Sequence, residues 1–349
     1  MSEDYKALAG KYNNFLAPAM KIYVNGTDVV SELQLAVDGL EVSLSMSRAG
    51  SVQFQILNGF LLESRRFANT VTDTFQPGSI LTVETGYGSD TTKLFQGYIS
   101  EVAFEFGEQP VVHVTALDVV RMMMDTVYLN YCYTVSSYSE AFQEVMKRYS
   151  VLYDTLEVEE TGKEITQITQ KGSDYKFVQE QLCTKAGKEF LVIGGTVYFR
   201  TPADGAEAAV FLEWGEGLIS FQERKQQCSQ TVRVYGKADN KKDRQMVEVT
   251  VTNADSSSQL TIVREYQNPA LIGEAAIRQY ANKLADHQRD RSCGGSGSCI
   301  GLPELVPGTY IRLGNLGSGE GKDYYIKSVR HSIGSSGYIT QFDVEGIKT

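Results

Sequence analysis

The sequence predicts a mainly β protein in which two tandem, tube-like antiparallel β-barrel domains flank a small α+β domain. Three observations support this prediction. Polar and apolar residues alternate in short segments over the first and last thirds of the chain, and the middle has helical patterns. In addition, one β-strand unit recurs near both ends of the sequence. With 349 residues, 42% hydrophobic and 22% charged, the chain has room for two or three ordinary globular domains.

The first barrel is predicted over residues 16–119, after an N-terminal extension of residues 1–15. Asn25-Gly26 is a dipeptide that favours a two-residue hairpin turn. The segment "SVQFQIL" alternates as a half-buried strand does, and "VDGLEVSLSM" alternates in the same way. In "GYISEV" the apolar phase slips between Ile99 and Val102, which predicts a β-bulge.

A small α+β domain is predicted over residues 120–215. In "SSYSEAFQEVMKRYS", Ser137 and Glu140 have the spacing of a capping box at the start of a helix. A second helix, "SDYKFVQEQLCTKAG", is expected to end at Gly187, and Gly194-Gly195 then joins two strands. We interpret the methionine run 122–124 as core packing and not as a ligand site.

The second barrel is predicted over residues 216–349, with one helix inserted at about 270–288. The segment "RSCGGSGSC" is expected to be a flexible loop, because glycine and serine dominate it. Its two cysteines, Cys293 and Cys299, are spaced so that a disulfide could close a small loop, and they lack the further ligands of a structural zinc site. The odd total of five cysteines favours free thiols in a reducing compartment.

The repeated unit opens with Pro-Gly, continues through a short strand into a glycine-rich turn, and ends in "GYISEV" in one copy and "YYIKSV" in the other. Seven residues mark its turns: Pro77, Gly78, Gly86, Gly97, Pro307, Gly308 and Gly314. Five features recur in the same order, which indicates one structural unit used twice. A homotrimer of such a chain has three-fold symmetry at one end and a pseudo-six-fold ring at the other.

This order of barrel, α+β insert and barrel, with the quoted motifs, resembles the phage late control protein D family over roughly residues 15–349. These are baseplate hub proteins of contractile tails and related injection systems, and the N-terminal part of type VI spike proteins is similar. The resemblance implies a trimeric, cytoplasmically assembled hub that joins a six-fold tail tube to a three-fold spike and other baseplate components, in a phage, a tailocin or an injection system. Some relatives continue into a spike or a hydrolase, whereas this sequence ends after its second barrel. We therefore expect those functions on other polypeptides.

Charge and hydropathy limit the partners. The net charge of −10 argues against stable binding of nucleic acid, since phosphate contacts need clustered Lys and Arg. The acidic balance favours solubility, and it also suits a surface past which polyanions slide. No apolar run is long enough for a membrane helix, and the first residues lack the pattern of a secretory signal.

No catalytic, cofactor-binding or metal-binding residue is predicted, and we expect a protein that is not an enzyme. His113 and His331 lie in strand patterns and are interpreted as packing or surface residues. Trp214, the single tryptophan, is interpreted as a buried packing residue, with a subunit-interface anchor as the alternative. The rival function is a tail-tip protein that binds or cleaves a surface glycan, which needs exposed aromatic platforms or two carboxylates in one cleft.

Overall fold

The computed structural model describes residues 3–163, 165–202, 207–225, 230–238, 246–253, 261–290, 293–317 and 321–348. The chain is mainly β, with two barrel-like sheets flanking a small α+β unit, so the predicted fold class is confirmed. The polar segments "DNKKD" and "NADSSS", whose composition favours turns between strands, lie wholly or largely outside the described residues. Over the part of the chain described here, no helix is long and apolar enough to cross a membrane.

The N-terminal segment packs against both barrels. It contains β1 (Glu3–Asp4), α1 (Tyr5–Lys11) and a 3-10 turn (Asn13–Phe15). Asp4 caps the helix by accepting from the backbone N–H of Ala7 at 2.8 Å, and Leu8 is buried. The Tyr12 hydroxyl donates to Glu304 at 2.5 Å, which ties this segment to the far end of the chain.

The first barrel is a curved sheet whose order is β4–β5–β10–β9–β8–β2–β3. Its strands alternate between a buried and an exposed face, as the sequence predicts. Its elements are β2 (Pro18–Val24), β3 (Thr27–Asp28), β4 (Val37–Ser45), β5 (Ser51–Ile56), the hairpin β6 (Phe60–Leu61) and β7 (Arg66–Phe67), α2 (Asn69–Thr74), β8 (Ile80–Tyr87), β9 (Asp90–Glu105) and β10 (Val111–Leu117).

The α+β unit has a hydrophobic core of its own. Ser137 caps α4, and the second predicted helix ends at Gly187 with φ of 64°, so both helix predictions are confirmed. Its elements are α3 (Val119–Asp125), β11 (Val127–Tyr133), α4 (Tyr138–Met146), a 3-10 turn (Lys147–Tyr149), β12 (Thr155–Val158), β13 (Ile168–Ser173), α5 (Asp174–Lys176) with its π-helical continuation (Phe177–Cys183) and α6 (Thr184–Ala186), β14 (Glu189–Ile193) and β15 (Thr196–Arg200).

The second barrel closes through its own hydrogen bonds, in the cycle β16–β17–β21–β24–β23–β22–β16. Its strands are β16 (Val210–Trp214), β17 (Gly217–Lys225), β21 (Cys293–Ile300), β22 (Tyr310–Gly314), β23 (Lys322–Gly334) and β24 (Gly337–Lys348). β1 adds to β16 in parallel.

The insertion between β17 and β21 is larger than the predicted helix. It contains β18 (Gln230–Lys237), β19 (Met246–Asn253), β20 (Ile262–Ile272) and α7 (Glu274–Asp290). The three strands form a separate sheet whose core residues pack on the helix at Ile277 and Ala281. Alternation in "QTVRVYGKA", "RQMVEVTVT" and "SQLTIVREY" predicts three strands here, but it does not indicate to which sheet a strand belongs. The domain boundaries given above remain a prediction.

The expectation of a flexible loop at "RSCGGSGSC" is wrong over residues 293–299, because these residues belong to β21, between β17 and β24. Its glycines are required by close packing. A Cβ atom on Gly297 would lie 2.6 Å from the ring of Phe342 and 2.7 Å from the carbonyl oxygen of Ser220. Cys299 is buried in this strand as a free thiol, and burial raises the pKa of that thiol well above its usual range.

Candidate assembly surface

The two barrels are joined by strand pairing and not by a linker alone. β23 pairs with β22 and β24 inside the second barrel, and its C-terminal half also pairs with β4 of the first. This antiparallel junction runs from Ser328 opposite Ser45 to Ile333 opposite Leu40. As a result, one hydrophobic core runs through both barrels.

The junction creates a continuous run of eight strands, β17–β21–β24–β23–β4–β5–β10–β9. We call the side of this sheet that faces away from the barrel cores the polar face. It contains a groove of about 820 Å³. Polar side chains dominate the groove lining, among them Glu41, Ser43, Gln53, Ser298, Ser328, Arg330 and Asp343. Charges of both signs and many hydroxyl groups line this groove and favour its hydration.

The two copies of the repeated unit have the same backbone arrangement. The N–H of Gly78 donates to the carbonyl of Ile99 at 2.8 Å, and the N–H of Gly308 donates to that of Ile326 at 2.9 Å. Both glycines have a positive φ, 92° and 81°. β8 and β22 therefore enter their barrels in the same way.

The strand registers agree as well. Ile80 lies opposite Tyr98 in one copy and Tyr310 opposite Tyr325 in the other. Two residues after these tyrosines, each long strand carries a bulge, at Ser100 in β9 and at Lys327 in β23. The bulge expected between Ile99 and Val102 is therefore present. These registers define residue-by-residue equivalence between the barrels.

Two of the remaining turn positions of the predicted repeat, Gly86 and Gly97, lie where the backbone allows no side chain. A Cβ atom on Gly86 would lie 1.9 Å from the carbonyl oxygen of Asp90, and one on Gly97 would lie 2.2 Å from that of Leu117. Pro77 directly precedes Gly78 at the start of the first copy, as Pro307 precedes Gly308 in the second. Gly314 ends β22 against the ring of Phe211. All seven positions thus belong to the barrel frameworks and not to one pocket.

Trp214 is not a buried packing residue, because 61% of its side chain is exposed. It ends β16, where the strand meets the turn into β17. Ile219, the residue after its strand partner Leu218, is also exposed. Large exposed aromatic side chains are enriched at protein contact sites, and the anchor role remains a proposal.

A buried polar network crosses the barrel junction. The Nε2 of His331 donates to the carbonyl of Leu305 at 3.1 Å, so Nδ1 is the acceptor for the hydroxyls of Tyr338 and Thr340, each at 3.0 Å. The Tyr338 hydroxyl also bonds Thr85 of the first barrel at 2.8 Å. Burial lowers the pKa of His331 to about 4, so the ring is neutral at pH 7.

The environment of His113 differs from that of His331. His113 lies on β10 with its side chain partly exposed, and it forms a hydrogen bond with Glu105 at 2.8 Å. The side chain of His287 lies outside the described part of the chain. Among the residues that can be described, no group of three or more His, Cys, Asp and Glu side chains is placed to hold a metal ion.

Sequence reasoning did not find the junction itself. The pairing of β4 with β23 joins residues almost 300 positions apart, and alternation carries no information about the partner of a strand. It also did not distinguish β17, most of whose residues are exposed, from the buried strands around it. That distinction was partly visible in the segment "ERK", which places three charged residues in succession at the strand end.

Comparison with known proteins gives one family and one fold. Residues 16–335 match the model of a family described as the Alg8 N-terminal domain, and the chain belongs to this family. No curated protein sequence matches the chain. The matching family model is therefore a different one from late control protein D.

The fold is similar to that of the tail protein from Neisseria meningitidis MC58, with a TM-score of 0.72, 12% identity, and coverage of 94% of this chain and 96% of that one. The 43 kDa tail protein of prophage MuSo2 from Shewanella oneidensis has a TM-score of 0.68, 13% identity and coverage of 93% and 97%. An Escherichia coli component of the type VI secretion system, described as similar to the T4 tail proteins gp27 and gp5, has a TM-score of 0.55, 12% identity and coverage of 93% and 76%. At these identities the likeness shows a common fold.

Proposed function

We propose that this member of the Alg8 N-terminal domain family is a structural, non-enzymatic baseplate hub of a contractile phage tail, a tailocin or an injection system. It acts as a homotrimer that joins a six-fold tail tube to a three-fold spike and contacts other baseplate components. The fold shared with tail proteins and with a type VI component supports this proposal. The proposal includes three further points: kinship with late control protein D, assembly in the bacterial cytoplasm, and incorporation into the tail or injection-system particle.

The observation that carries the proposal is the structural equivalence of the two barrels within one chain. Equivalent hydrogen bonds at Gly78 and Gly308 and equivalent bulges at Ser100 and Lys327 make them interchangeable units. Three chains then supply six such units, which match a six-fold partner, while the insertions occur once per chain and match a three-fold partner. A trimer of chains with a single barrel each would supply only three such units.

The polar face supports a channel role. It lies opposite the barrel cores on a curved run of eight strands, and its groove is lined by hydroxyl, amide and charged side chains. A ring of such sheets encloses a lumen without apolar anchors, past which DNA or a protein cargo moves without strong binding. In this arrangement Glu41, Asp343 and the neighbouring acidic residues of β9 face the lumen.

The buried carboxylates have structural uses that argue against catalysis. Asp118 accepts from the N–H groups of Gly50 and Val120 at 2.8 and 3.0 Å. Asp174 accepts from Arg148 at 2.8 Å and from Tyr149 at 2.6 Å. Neither lines the groove on the polar face. A glycosidase needs two carboxylates facing the same cleft across the substrate.

The glycan-binding alternative rests on exposed aromatic rings. Tyr131 is one of these, but the guanidinium of Arg148 lies 4.9 Å from its ring and 4.5 Å from that of Tyr128. These rings are therefore engaged in cation–π contacts within the fold. Trp214 is another exposed aromatic residue, and its role differs between the two functions: an assembly contact in one, a sugar platform in the other.

A reconstitution experiment tests the proposal. The purified chain is mixed with candidate tube and spike proteins, and complexes are separated by size and imaged by electron microscopy. We expect a ring with the tube at one end and the spike at the other, and no retention on immobilised host glycans. Glycan retention without any complex would replace the hub with the tail-tip function.

A further inference from the structure

One hairpin of the α+β unit reaches both barrels. It consists of β14 and β15, paired antiparallel from Ile193 opposite Thr196 at the tip to Glu189 opposite Arg200 at the base. Its strands have five residues each and span about 17 Å, because a strand rises about 3.4 Å per residue. The Gly194-Gly195 turn at the tip contacts the first barrel, and the base contacts the second.

The tip lies directly on the backbone of β9. The N–H of Gly194 donates to the carbonyl of Leu94 at 3.1 Å, and a Cβ atom on Gly194 would lie 2.3 Å from the carbonyl oxygen of Lys93. Beside this contact, the Nε2 of Gln96 donates to the carboxylate of Asp154 in the α+β unit at 2.8 Å. Lys93 forms an ion pair with the same carboxylate. The first attachment therefore depends on a close approach of backbones that only glycine allows.

The base of the hairpin is fixed to the Pro-Gly turn of the second barrel. The guanidinium of Arg200 donates to the carbonyl of Gly308 at 2.7 Å and to the carboxylate of Glu189 at 2.9 Å. That carboxylate also accepts from the hydroxyl of Tyr325 at 2.6 Å. We call these four residues the base clamp. The side chain of Glu189 is 10% exposed and that of Arg200 25%, so water and salt screen this ion pair only weakly.

The α+β unit contacts the same framework position in both barrels. β8 and β9 of the first barrel correspond to β22 and β23 of the second. Tyr98 and Tyr325 are equivalent, because each lies opposite the first residue of the strand that follows a Pro-Gly turn. Tyr98 packs against the core of the α+β unit, and Tyr325 belongs to the base clamp. One folded unit thus holds two equivalent points of the two barrels.

We propose that the β14–β15 hairpin is a brace that fixes the rotation of one barrel relative to the other. The ladder between β4 and β23 joins the barrels through a single pair of strands. The twist between neighbouring strands ranges from about 10° to 35° in proteins, so one ladder leaves the angle between the barrels adjustable. A second attachment outside the ladder selects one angle. A displacement of the α+β unit, as on contact with another protein, is then transmitted to both barrels.

The two attachments differ in how they can be released. The tip is held by the backbone, whereas the base clamp depends on the forked guanidinium of Arg200, which reaches Gly308 and Glu189 at once. Arg200→Met removes both bonds, and Glu189 keeps its bond to Tyr325. A side-chain change at the base should therefore free the second barrel without unfolding the hairpin. The brace acts within one chain, so it does not depend on the proposed hub.

Distances between spin labels measure the angle between the barrels. The labels are attached to cysteines at Glu101 of β9 and Gln341 of β24, which are exposed and separated by five strand spacings, or about 24 Å. Cys132, Cys228 and Cys293 are replaced by serine. The labelled chain is diluted with unlabelled chain, so that every distance arises within one molecule. Pulsed electron paramagnetic resonance then gives the distribution of distances.

The unaltered clamp should give one narrow distribution, and Arg200→Met should widen it about twofold and shift its mean. Arg200→Lys keeps the charge without the fork and should give an intermediate width. The matched control is Glu159→Gln, because Glu159 bonds Lys188 and Thr201 beside the clamp but within the α+β unit. Its distribution should stay narrow. Equal widening in this control, or an unchanged distribution in both Arg200 variants, would overturn the brace and leave the proposed hub intact.

Discussion

The two barrels reach the same backbone arrangement with opposite choices of side chain. In the first barrel, Phe54 of β5 lies opposite Val114 of β10. In the second, the equivalent pair is Gly297 of β21 opposite Phe342 of β24. The large ring is supplied by one strand in the first barrel and by its neighbour in the second. The two copies of the repeat therefore share the summed side-chain volume of an opposed pair, and not the residue at either position.

The difference between β4 and β17 teaches a second point. β4 has buried residues at alternate positions because β23 covers its edge, whereas most of the equivalent strand β17 is exposed. Two strands with the same place in a barrel thus differ in burial because only one has its partner within the chain. The exposed strand carries charged residues, as unpaired edges commonly do.

The largest losses of stability are expected from variants that change the side-chain volume of these opposed pairs. Phe54→Ala removes a buried ring from the core and should lower the free energy of unfolding by about 3–5 kcal/mol. Gly297→Ala adds volume instead of removing it, because the new Cβ meets the ring of Phe342. It should lower the free energy of unfolding by about 2–3 kcal/mol. Denaturant unfolding measures both. Phe342→Leu should recover part of the loss in the Gly297→Ala variant and none in the Phe54→Ala variant; equal recovery would contradict the account.

The junction network should make stability dependent on pH. The pKa of His331 is about 4 in the folded chain, below its ordinary value near 6.5, so the unfolded chain takes up the proton first as the pH falls. The contribution of His331 is therefore complete above pH 6.5 and is lost between pH 6.5 and 4, by roughly 3 kcal/mol in total.

Urea unfolding of the chain and of a His331→Phe variant from pH 7.5 to 4 measures this effect. The variant loses the bonds to Leu305 and Tyr338 and should be less stable at pH 7, but its stability should fall less over the same range. Parallel pH curves for the two proteins would show that the acid sensitivity lies elsewhere. The equivalent residue of the first barrel is Phe104, so this titration is specific to the second.

A smaller effect compares the two Pro-Gly turns. Gly78→Ala should cost about 1 kcal/mol, because alanine is strained at φ of 92° although nothing lies near its Cβ. Gly308→Ala should cost more, because its Cβ would also lie 2.9 Å from Arg200 and 3.2 Å from Leu191. Thermal unfolding ranks the two variants. The reverse order would show that the two turns are not equivalent in strain.

The smallest effect on folding is expected at Trp214. Because its side chain is mostly exposed, Trp214→Ser should change the free energy of unfolding by less than about 0.5 kcal/mol. The same variant should weaken assembly, which sedimentation at several concentrations would detect. A large loss of stability with unchanged assembly would return Trp214 to a packing role.

Sequence reasoning predicted the elements well wherever local chemistry decides them. The turns at Asn25-Gly26 and Gly194-Gly195, the cap at Ser137 and the bulge near Ile99 each follow from backbone preferences over a few residues. It failed at β21, because glycines that make room for Phe221 and Phe342 look the same in sequence as glycines of a flexible loop.

The assembly surface was less accessible to sequence reasoning. The exposure of β17 is recognised only once ladder registers show which strands are equivalent. The exposure of Trp214 likewise depends on how β16 meets β17, which a single tryptophan in "FLEWGEG" does not reveal. Pairing over long sequence distances is set by the tertiary fold, and local propensity carries little of it.

The mass of the purified chain in solution tests the central claim most directly, namely that three copies of the chain assemble into one hub. Light scattering over a range of concentrations, with and without the spike protein, should give an assembly of three 38.6 kDa chains, plus the mass of the spike where it is present. A single chain under every condition, or an open series of growing oligomers, would contradict the account.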